Sequence, residues 1–291
     1  MENIDSPSKG EVIRRYITRI RDLPTLPGVV TDILQIINSD NSSAGDLSKA
    51  VSMDQALAAN VLKLANSAFY GFSRKISTIN EAVIHLGFNV VRCLAVSVSV
   101  IDAFKEGEGR ENFNRPAFWR HSIGCGVVSR MLAIHTKKVD PEVALLSGIL
   151  HDLGKLVLDR FMDVDFVQIL QIAKEQEMTF LQAEKLYYDI DHAMIGAWLA
   201  EWWKLPKNLS EPIRYHHSPG AGDRGPMVGI VTLANAICHE KSIDNSGYSK
   251  VKPVDHALLE SLGLDETSLG YVNKNLDEEI EKASIFESLT G

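Results

Sequence analysis

The sequence predicts an all-α protein built as a two-part helical bundle. Three observations support this fold class: helical spacing of the apolar residues, repeated helix-start signals, and the lack of paired strand patterns. Apolar residues recur at intervals of three and four, as they do at Val30, Ile33 and Ile37. A helix with this spacing buries one face, so the helices are expected to share a core.

Two kinds of residue mark helix starts. Capping side chains accept hydrogen bonds from the first backbone N–H groups of a helix, and proline fits the first turn because it has no N–H of its own. The signals are two capping boxes, an aspartate-proline start and a single proline: Thr78 with Glu81, Thr179 with Gln182, Asp140 with Pro141, and Pro226. Each precedes an apolar stretch with helical spacing, so each predicts that a helix begins there.

One short stretch is compatible with a strand. Val96, Val98 and Val100 alternate with small or polar residues, as in a half-buried strand. A single strand would leave its backbone hydrogen-bonding groups unpaired, and helical patterns flank it on both sides. We therefore interpret this stretch as part of a helix.

The chain divides into three predicted parts. Residues 10–105 form an N-terminal helical subdomain, and residues 115–245 form a second helical subdomain that holds nearly all the histidines. The connector between them, residues 105–114, is rich in glycine, glutamate and asparagine and is expected to be exposed. Residues 246–291 form an acidic C-terminal segment with helical spacing of its leucines.

Composition argues against several classes of protein. Hydrophobic residues make up 45% and charged residues 23% of the 291 residues, which fits an ordinary protein with a sizeable core. The net charge is −8 and no basic stripe is evident, so a nucleic-acid partner is not expected. No apolar stretch reaches the ~20 residues that a membrane span needs, and no signal peptide is evident. We expect a cytoplasmic protein without membrane contact.

The three cysteines, Cys93, Cys125 and Cys238, form no close pair along the chain. This spacing argues against a disulfide scaffold and fits a reducing compartment. Each cysteine lies in an apolar stretch, so each is interpreted as a small buried hydrophobe rather than a reactive thiol.

The adjacent pair His151-Asp152 is the first candidate for chemistry. An imidazole nitrogen and a carboxylate oxygen are good ligands for divalent iron, manganese or zinc. Adjacent residues on a helix point about 100° apart, so they can hold one ion only from two sides. Other helices must complete the coordination shell, unless the pair is only a buried structural hydrogen-bonding unit.

Two histidines on apolar helix faces are candidates to complete it. His121 aligns with Cys125 on a buried stripe, and His192 aligns with Gly196, whose lack of a side chain allows close helix packing. His135 lies 14 residues after His121, which is about 21 Å along a helix, so the two cannot share an ion. His135 is expected at a surface or at a helix end.

Further candidate residues for the same site lie downstream. His216 and His217 stand at the predicted end of a helix, before Pro219. Asn235 lies among apolar neighbours, and a buried amide needs specific hydrogen-bonding partners.

This ordered series resembles the ligand series of the HD superfamily, and especially its HD-GYP branch, whose metals activate water for phosphate-ester hydrolysis. The resemblance implies six metal ligands: His121, His151, Asp152, His192, His216 and His217. It also implies a phosphate contact for Lys155 and an additional carboxylate ligand at Glu184. Two positions depart from the pattern, because Asn235 replaces the final aspartate and Ser218-Pro219-Gly220 replaces the Gly-Tyr-Pro motif.

The N-terminal part resembles the HDOD family, the HD-related output domains. The residues that carry this resemblance are Leu23-Pro24-Thr25-Leu26-Pro27, Asp54, the run from Leu62 to Gly71, the run from Ile76 to Val83, and Leu86-Gly87. The resemblance extends to His217 and implies an all-α bacterial signal-transduction module in which many members have lost metal ligands. Within the Leu62–Gly71 run, Asn66 is expected to brace a turn, and Phe69 to fill core space.

Three functions are consistent with the sequence. The first is a regulatory module that acts through a protein partner or a small ligand, with a degenerate HD site that still holds a divalent metal. The second is a metal-dependent phosphohydrolase acting on a nucleotide or cyclic nucleotide, in which Asn235 weakens the site because an amide carries no charge. The third is a scaffold in which the histidines are inert. The signalling partner is not indicated by any motif.

Overall fold

The computed structural model describes residues 28–37, 43–105, 113–220, 224–243 and 255–290. These residues form α-helices joined by short turns and contain no strand, which confirms the all-α prediction. The predicted motif at residues 23–27 and most of the connector, residues 106–112, lie outside the described residues, so the division between subdomains stays a prediction.

The helices follow in chain order: α1 (Gly28–Ile37), α2 (Ala44–Ser52), α3 (Gln55–Ala65), α4 (Ile79–Leu86), α5 (Phe88–Ala103), α6 (Arg115–Thr136), α7 (Pro141–Leu150), α8 (Leu153–Phe161), α9 (Asp163–Glu175), α10 (Phe180–Tyr188), α11 (His192–Trp202), α12 (Lys207–Tyr215), α13 (Gly225–Glu240), α14 (His256–Ser261) and α15 (Glu266–Glu287). The long helix α6 lies at the centre and packs against α7, α13 and α15. No described helix has both the length and the apolar character to cross a membrane.

The predicted helix starts are confirmed with one difference in detail. Thr179 and Gln182 form a complete capping box at α10, and Asp140 caps α7 ahead of its first-turn proline. Thr78 Oγ1 accepts from the Glu81 N–H at α4. The Glu81 carboxylate accepts from the backbone of Ser77 rather than Thr78, so that box is displaced by one residue.

The strand-like stretch lies inside α5, which confirms the helical interpretation. Helix α5 packs against α1, α3, α4 and α7 and is buried over most of its surface. Even Ser97 and Ser99 are buried, and the Ser99 hydroxyl donates to the Ala95 carbonyl oxygen at 2.8 Å. A helix buried all round has no polar face, which explains why its sequence lacks a clear helical alternation.

Asn66 braces the turn after α3, as predicted. Its side-chain amide donates to the carbonyl oxygens of Leu62 and Ile76, both at 2.8 Å, and its Oδ1 accepts from the Ile76 N–H at 2.7 Å. These three bonds fix the path of the chain between α3 and α4.

A polar network joins this turn to the histidine-rich part of the chain. The Tyr70 hydroxyl donates to Glu142 Oε2 at 2.9 Å, and Arg130 Nε donates to Glu142 Oε1 at 2.7 Å. The Arg130 guanidinium also lies 5.1 Å from the centre of the Phe69 ring, in a cation–π contact. Phe69 is buried against Phe286 of α15, so α3, α6, α7 and α15 meet here.

Replacing Tyr70 by phenylalanine is expected to lower the free energy of unfolding by about 2 kcal/mol. The variant loses a hydrogen bond to a charged and buried carboxylate, and the ring itself is retained. Urea denaturation followed by circular dichroism measures the change. Tyr271→Phe, at an exposed position on α15, is the matched control and should stay within about 0.5 kcal/mol of the parent. Equal midpoints for the two variants would contradict the prediction.

Candidate metal centre

The predicted site residues converge at helix ends. His121 lies within α6 and Asn235 within α13, and the others flank helix termini: His151 after α7, Asp152 before α8, His192 at the first position of α11, and His216 and His217 after α12. Because every one of these helices contributes one or two residues, the site exists only when the helical packing is complete.

Glycines allow the helices to approach closely enough. A Cβ atom on Gly154 would lie 1.8 Å from the His192 carbonyl oxygen, and one on Gly148 would lie 2.6 Å from the Cys125 carbonyl oxygen. A Cβ on Gly196 would meet Ile213 at 2.8 Å, which confirms the close packing predicted for this position. The backbones of α8 and α11, and of α6 and α7, therefore touch directly.

The ligand-type side chains form two groups. The first group is His121, Cys125 and His151, and the second group is Asp152, His192, His216 and His217. Within each group, one ligand atom of every residue lies within 4.8 Å of the others.

Asp152 stands between the two groups. Its Oδ2 lies 3.3 Å from His151 Nε2 and 3.8 Å from His121 Nε2. Its Oδ1 lies 3.0 Å from His192 Nε2 and 3.5 Å from His216 Nε2. One carboxylate oxygen thus faces each group, the arrangement of a carboxylate that bridges two cations.

The histidine rings are held by their Nδ1 atoms. His151 Nδ1 lies 2.7 Å from the Gly148 carbonyl oxygen, and His216 Nδ1 lies 3.0 Å from the Ile213 carbonyl oxygen. A carbonyl oxygen can only accept, so Nδ1 carries the proton and the Nε2 lone pair of the neutral ring faces the cluster. This orientation is typical of histidines that bind metals.

His192 is held in the same way by a carboxylate. Glu184 Oε2 accepts from His192 Nδ1 at 2.6 Å, and Glu184 Oε1 accepts from the His192 backbone N–H at 3.1 Å. Glu184 therefore lies behind the ring, on the side away from Asp152. The resemblance implied a ligand at Glu184, but this geometry is that of a residue that orients a ligand.

The electrostatics of the cluster follow from burial and neighbouring charge. Burial lowers the pKa of His216 to about 4, and burial with the nearby His216 and His192 holds the pKa of His217 well below its usual value. Burial disfavours protonation of His192 as well, but Glu184 and Asp152 outweigh it and raise its pKa to about 9. A cation that binds His192 Nε2 must therefore displace a proton.

Asp152 remains ionised in this environment. Burial alone would raise its pKa, but His151, Lys155 and His192 outweigh burial and hold the pKa well below the usual range. Lys155 Nζ donates to Asp152 Oδ2 at 2.6 Å, and its side chain is 19% exposed. Lys155 thus lies at the edge of the cluster, where the phosphate contact implied for it would have to form.

The donor set fits a divalent metal. Within the described residues, the Nε2 atoms of His151 and His216 are buried and make no hydrogen bond. Buried polar atoms normally have partners, so such atoms require an explanation. An ion held by imidazole nitrogens and the Asp152 carboxylate supplies one, and this chemistry suits divalent iron, zinc or manganese.

Two residues near the cluster were not assigned by the sequence. Cys125 Sγ lies 3.5 Å from His121 Nε2 and 3.9 Å from Asn235 Oδ1, although it was interpreted only as a buried hydrophobe. The ring of His239 lies 4.7 Å from that of His121. Cys125 follows His121 by one helical turn, and His239 follows Asn235 by one helical turn. Helical periodicity in the sequence could therefore have identified both residues as neighbours of the site. His135, by contrast, is exposed in the last turn of α6, as expected.

The sequence model of the HDOD domain family matches residues 23–219. The chain belongs to the HDOD family. A protein of Treponema pallidum (strain Nichols), described only as uncharacterized, is 29% identical to this HDOD protein over 224 residues, or 75% of the chain. The chain spans 42% of the length of that relative.

Two solved structures resemble the whole HDOD fold described above. An HDOD domain protein of unknown function from Geobacter sulfurreducens is 27% identical, with a TM-score of 0.81 over 96% of this chain and 98% of its own. A protein from Shewanella amazonensis SB2B, provisionally named a phosphohydrolase, is 25% identical, with a TM-score of 0.74 over 94% of this chain and 97% of its own.

Proposed function

We propose that this HDOD protein is a cytoplasmic signal-transduction module whose buried His/Asp cluster binds divalent metal and stabilises the signalling conformation. The observation that carries the proposal is the closure of the cluster. His151, Asp152, His192 and His216 are each at most 1% exposed. Metal sites closed by protein ligands are typical of structural roles, whereas catalytic sites keep a position open for water and substrate.

The output of such a module is contact with another molecule. Family membership supports a role in signalling, and α12, which leads into His216 and His217, also has exposed residues. The proposed partner is a second signalling protein, and a nucleotide that reaches Lys155 is the proposed alternative input. Cys93, Cys125 and Cys238 form no disulfide, which is consistent with a reducing cytoplasm.

The first test is the metal content of the protein purified without chelator, measured by plasma mass spectrometry. We expect near-stoichiometric iron, zinc or manganese, and we expect its loss in His151→Ala. Removing the metal should lower the free energy of unfolding by about 3 kcal/mol if free metal had been near a hundred times its Kd. Exposed His256 offers the control variant His256→Ala, which should keep its metal.

An inert scaffold predicts a different set of results. His151→Ala would then leave metal content and stability unaltered, and chelation would change nothing. Either finding would overturn the proposal of a metal-stabilised module.

A phosphohydrolase is the second candidate, favoured by one specific feature. Lys155 and His217 are only partly buried and lie beside Asp152, so a phosphate could reach the cluster from that edge. Lysine binds phosphate as a point charge, and a divalent ion would supply Lewis acidity there. The provisional name of the Shewanella amazonensis relative points the same way.

This candidate predicts that Asn235→Asp raises phosphoesterase activity. The carboxylate restores a negative ligand at the position where the HD pattern has one, and metal affinity should rise on the order of tenfold. A panel of nucleotide and cyclic-nucleotide esters, with metal content measured in parallel, provides the readout. Full metal loading without turnover in either protein would exclude this candidate and leave the signalling proposal in place.

A further inference from the structure

The first group lacks an anionic ligand of its own unless Cys125 supplies one. The imidazoles of His121 and His151 carry no negative charge, and the nearby Asn235 offers only an uncharged amide. The nearest carboxylate oxygen is Asp152 Oδ2, which accepts a hydrogen bond from the Lys155 ammonium at 2.6 Å. Lys155 offsets part of the charge of this oxygen, and Asp152 is shared with the second group, so Asp152 alone would compensate a divalent ion in the first group only in part.

Cys125 lies where a ligand to such an ion must lie. It follows His121 by one turn of α6, so both side chains leave the same face of that helix. Its Sγ is 3.5 Å from His121 Nε2. Two ligands of a tetrahedral zinc, with a Zn–S bond of about 2.3 Å and a Zn–N bond of about 2.0 Å, are separated by about 3.5 Å.

An independent observation points to a ligand at the same place. His151 Nε2 belongs to the same group as Cys125, is completely buried, and makes no hydrogen bond within the described residues. Its ring orientation is fixed by the Gly148 carbonyl oxygen at Nδ1, so the lone pair on Nε2 points into the group. An ion between His121, His151 and Cys125 would give the buried His151 Nε2 atom a partner.

We propose that Cys125 is a metal ligand, and that its thiolate replaces the charge lost where asparagine stands at position 235. The thiol proton passes to solvent as the sulfur–metal bond forms, so the ligand arrives as an anion. A thiolate with two imidazoles favours zinc or divalent iron over manganese and magnesium. The inference rests on the proposed metal site and specifies which metals its first group takes.

Cobalt substitution tests the ligand directly in the 291-residue chain. Cobalt-loaded protein should show sulfur-to-cobalt charge-transfer absorption in the near ultraviolet, and Cys125→Ala should abolish it. The matched control is the double variant Cys93→Ala/Cys238→Ala, which removes the two other buried cysteines and should keep the band. X-ray absorption of the zinc-loaded parent protein, with a sulfur at about 2.3 Å, gives the same information if Cys125→Ala fails to fold.

Charge compensation gives the second test. Cys125→Ser should lower zinc affinity at least tenfold, and Asn235→Asp in the Cys125→Ser background should recover most of the loss without the charge-transfer band. Metal bound through nitrogen and oxygen alone, with no sulfur in the shell, would overturn the role of Cys125 while leaving the proposed metal site intact. Failure to bind cobalt or zinc at all would overturn both.

Discussion

Gly154→Ala is expected to lower the free energy of unfolding by about 3 kcal/mol and to remove metal from the second group. The added Cβ would lie 1.8 Å from the His192 carbonyl oxygen and 2.8 Å from the Gly196 nitrogen. Both obstacles are backbone atoms, so no side-chain rotation can relieve the clash, and α11 must move away from α8. His192 is the first residue of α11, so this movement separates its Nε2 from Asp152.

Urea denaturation and plasma mass spectrometry of the same preparation measure the two effects together. Gly270→Ala is the matched control, because Gly270 is exposed within α15 and no atom lies within 4 Å of the position of its added Cβ. It should stabilise the protein by up to about 1 kcal/mol through helix propensity. A Gly154→Ala protein with parental stability and metal content would show that α8 and α11 leave room for a side chain at Gly154 and would contradict the prediction.

Asp152→Asn is expected to remove metal from both groups. The change keeps the shape of the side chain but takes away the charge of the one residue that faces His151 on one side and His192 on the other. Loss of residues that merely orient a ligand costs about ten- to a hundredfold in metal affinity, so loss of the shared carboxylate should cost about a hundredfold or more.

The same substitution should also destabilise the protein when metal is removed. Asp152 pairs with the partly buried Lys155 and shares the buried His192 with Glu184, so removing its charge leaves both cations less compensated and should cost about 3 kcal/mol. Metal titrations are therefore made at a temperature where circular dichroism shows the variant folded. Asp277→Asn, exposed on α15, is the control and should bind metal like the parent. Stoichiometric metal in folded Asp152→Asn would refute the bridging role.

The sequence predicted the helices well because their signals are local. Capping by Asp140 and Thr179 depends on residues two or three positions away, and the apolar period is read within a few turns. Residues 95–100 were ambiguous because burial on all sides removes the polar face on which helical periodicity depends.

The site was predicted in outline for a different reason. The histidine series was found through its resemblance to a known ligand order. The sequence could not show that the two oxygens of Asp152 face different groups, because this arrangement depends on how α7, α8, α11 and α12 pack. The role of Glu184 could not be read from its spacing to His192, because the chain reverses at Asp189 (φ 65°) between them. Cys125 looked apolar because its neighbours on α6 are apolar, and its polar neighbour Asn235 is 110 residues away.

The meeting of helix termini at Asp152 has a consequence for motion. Terminal turns have fewer backbone hydrogen bonds than helix interiors and open most readily. An ion that joins the ends of α7, α11 and α12 would suppress this opening, and its departure would release all three ends together while the interior of α6 stays closed. After metal loss, amide hydrogen exchange should therefore accelerate around residues 148–156 and 189–195 without global unfolding. Metal occupancy would then set the mobility of these helix ends, and another protein could respond to that difference.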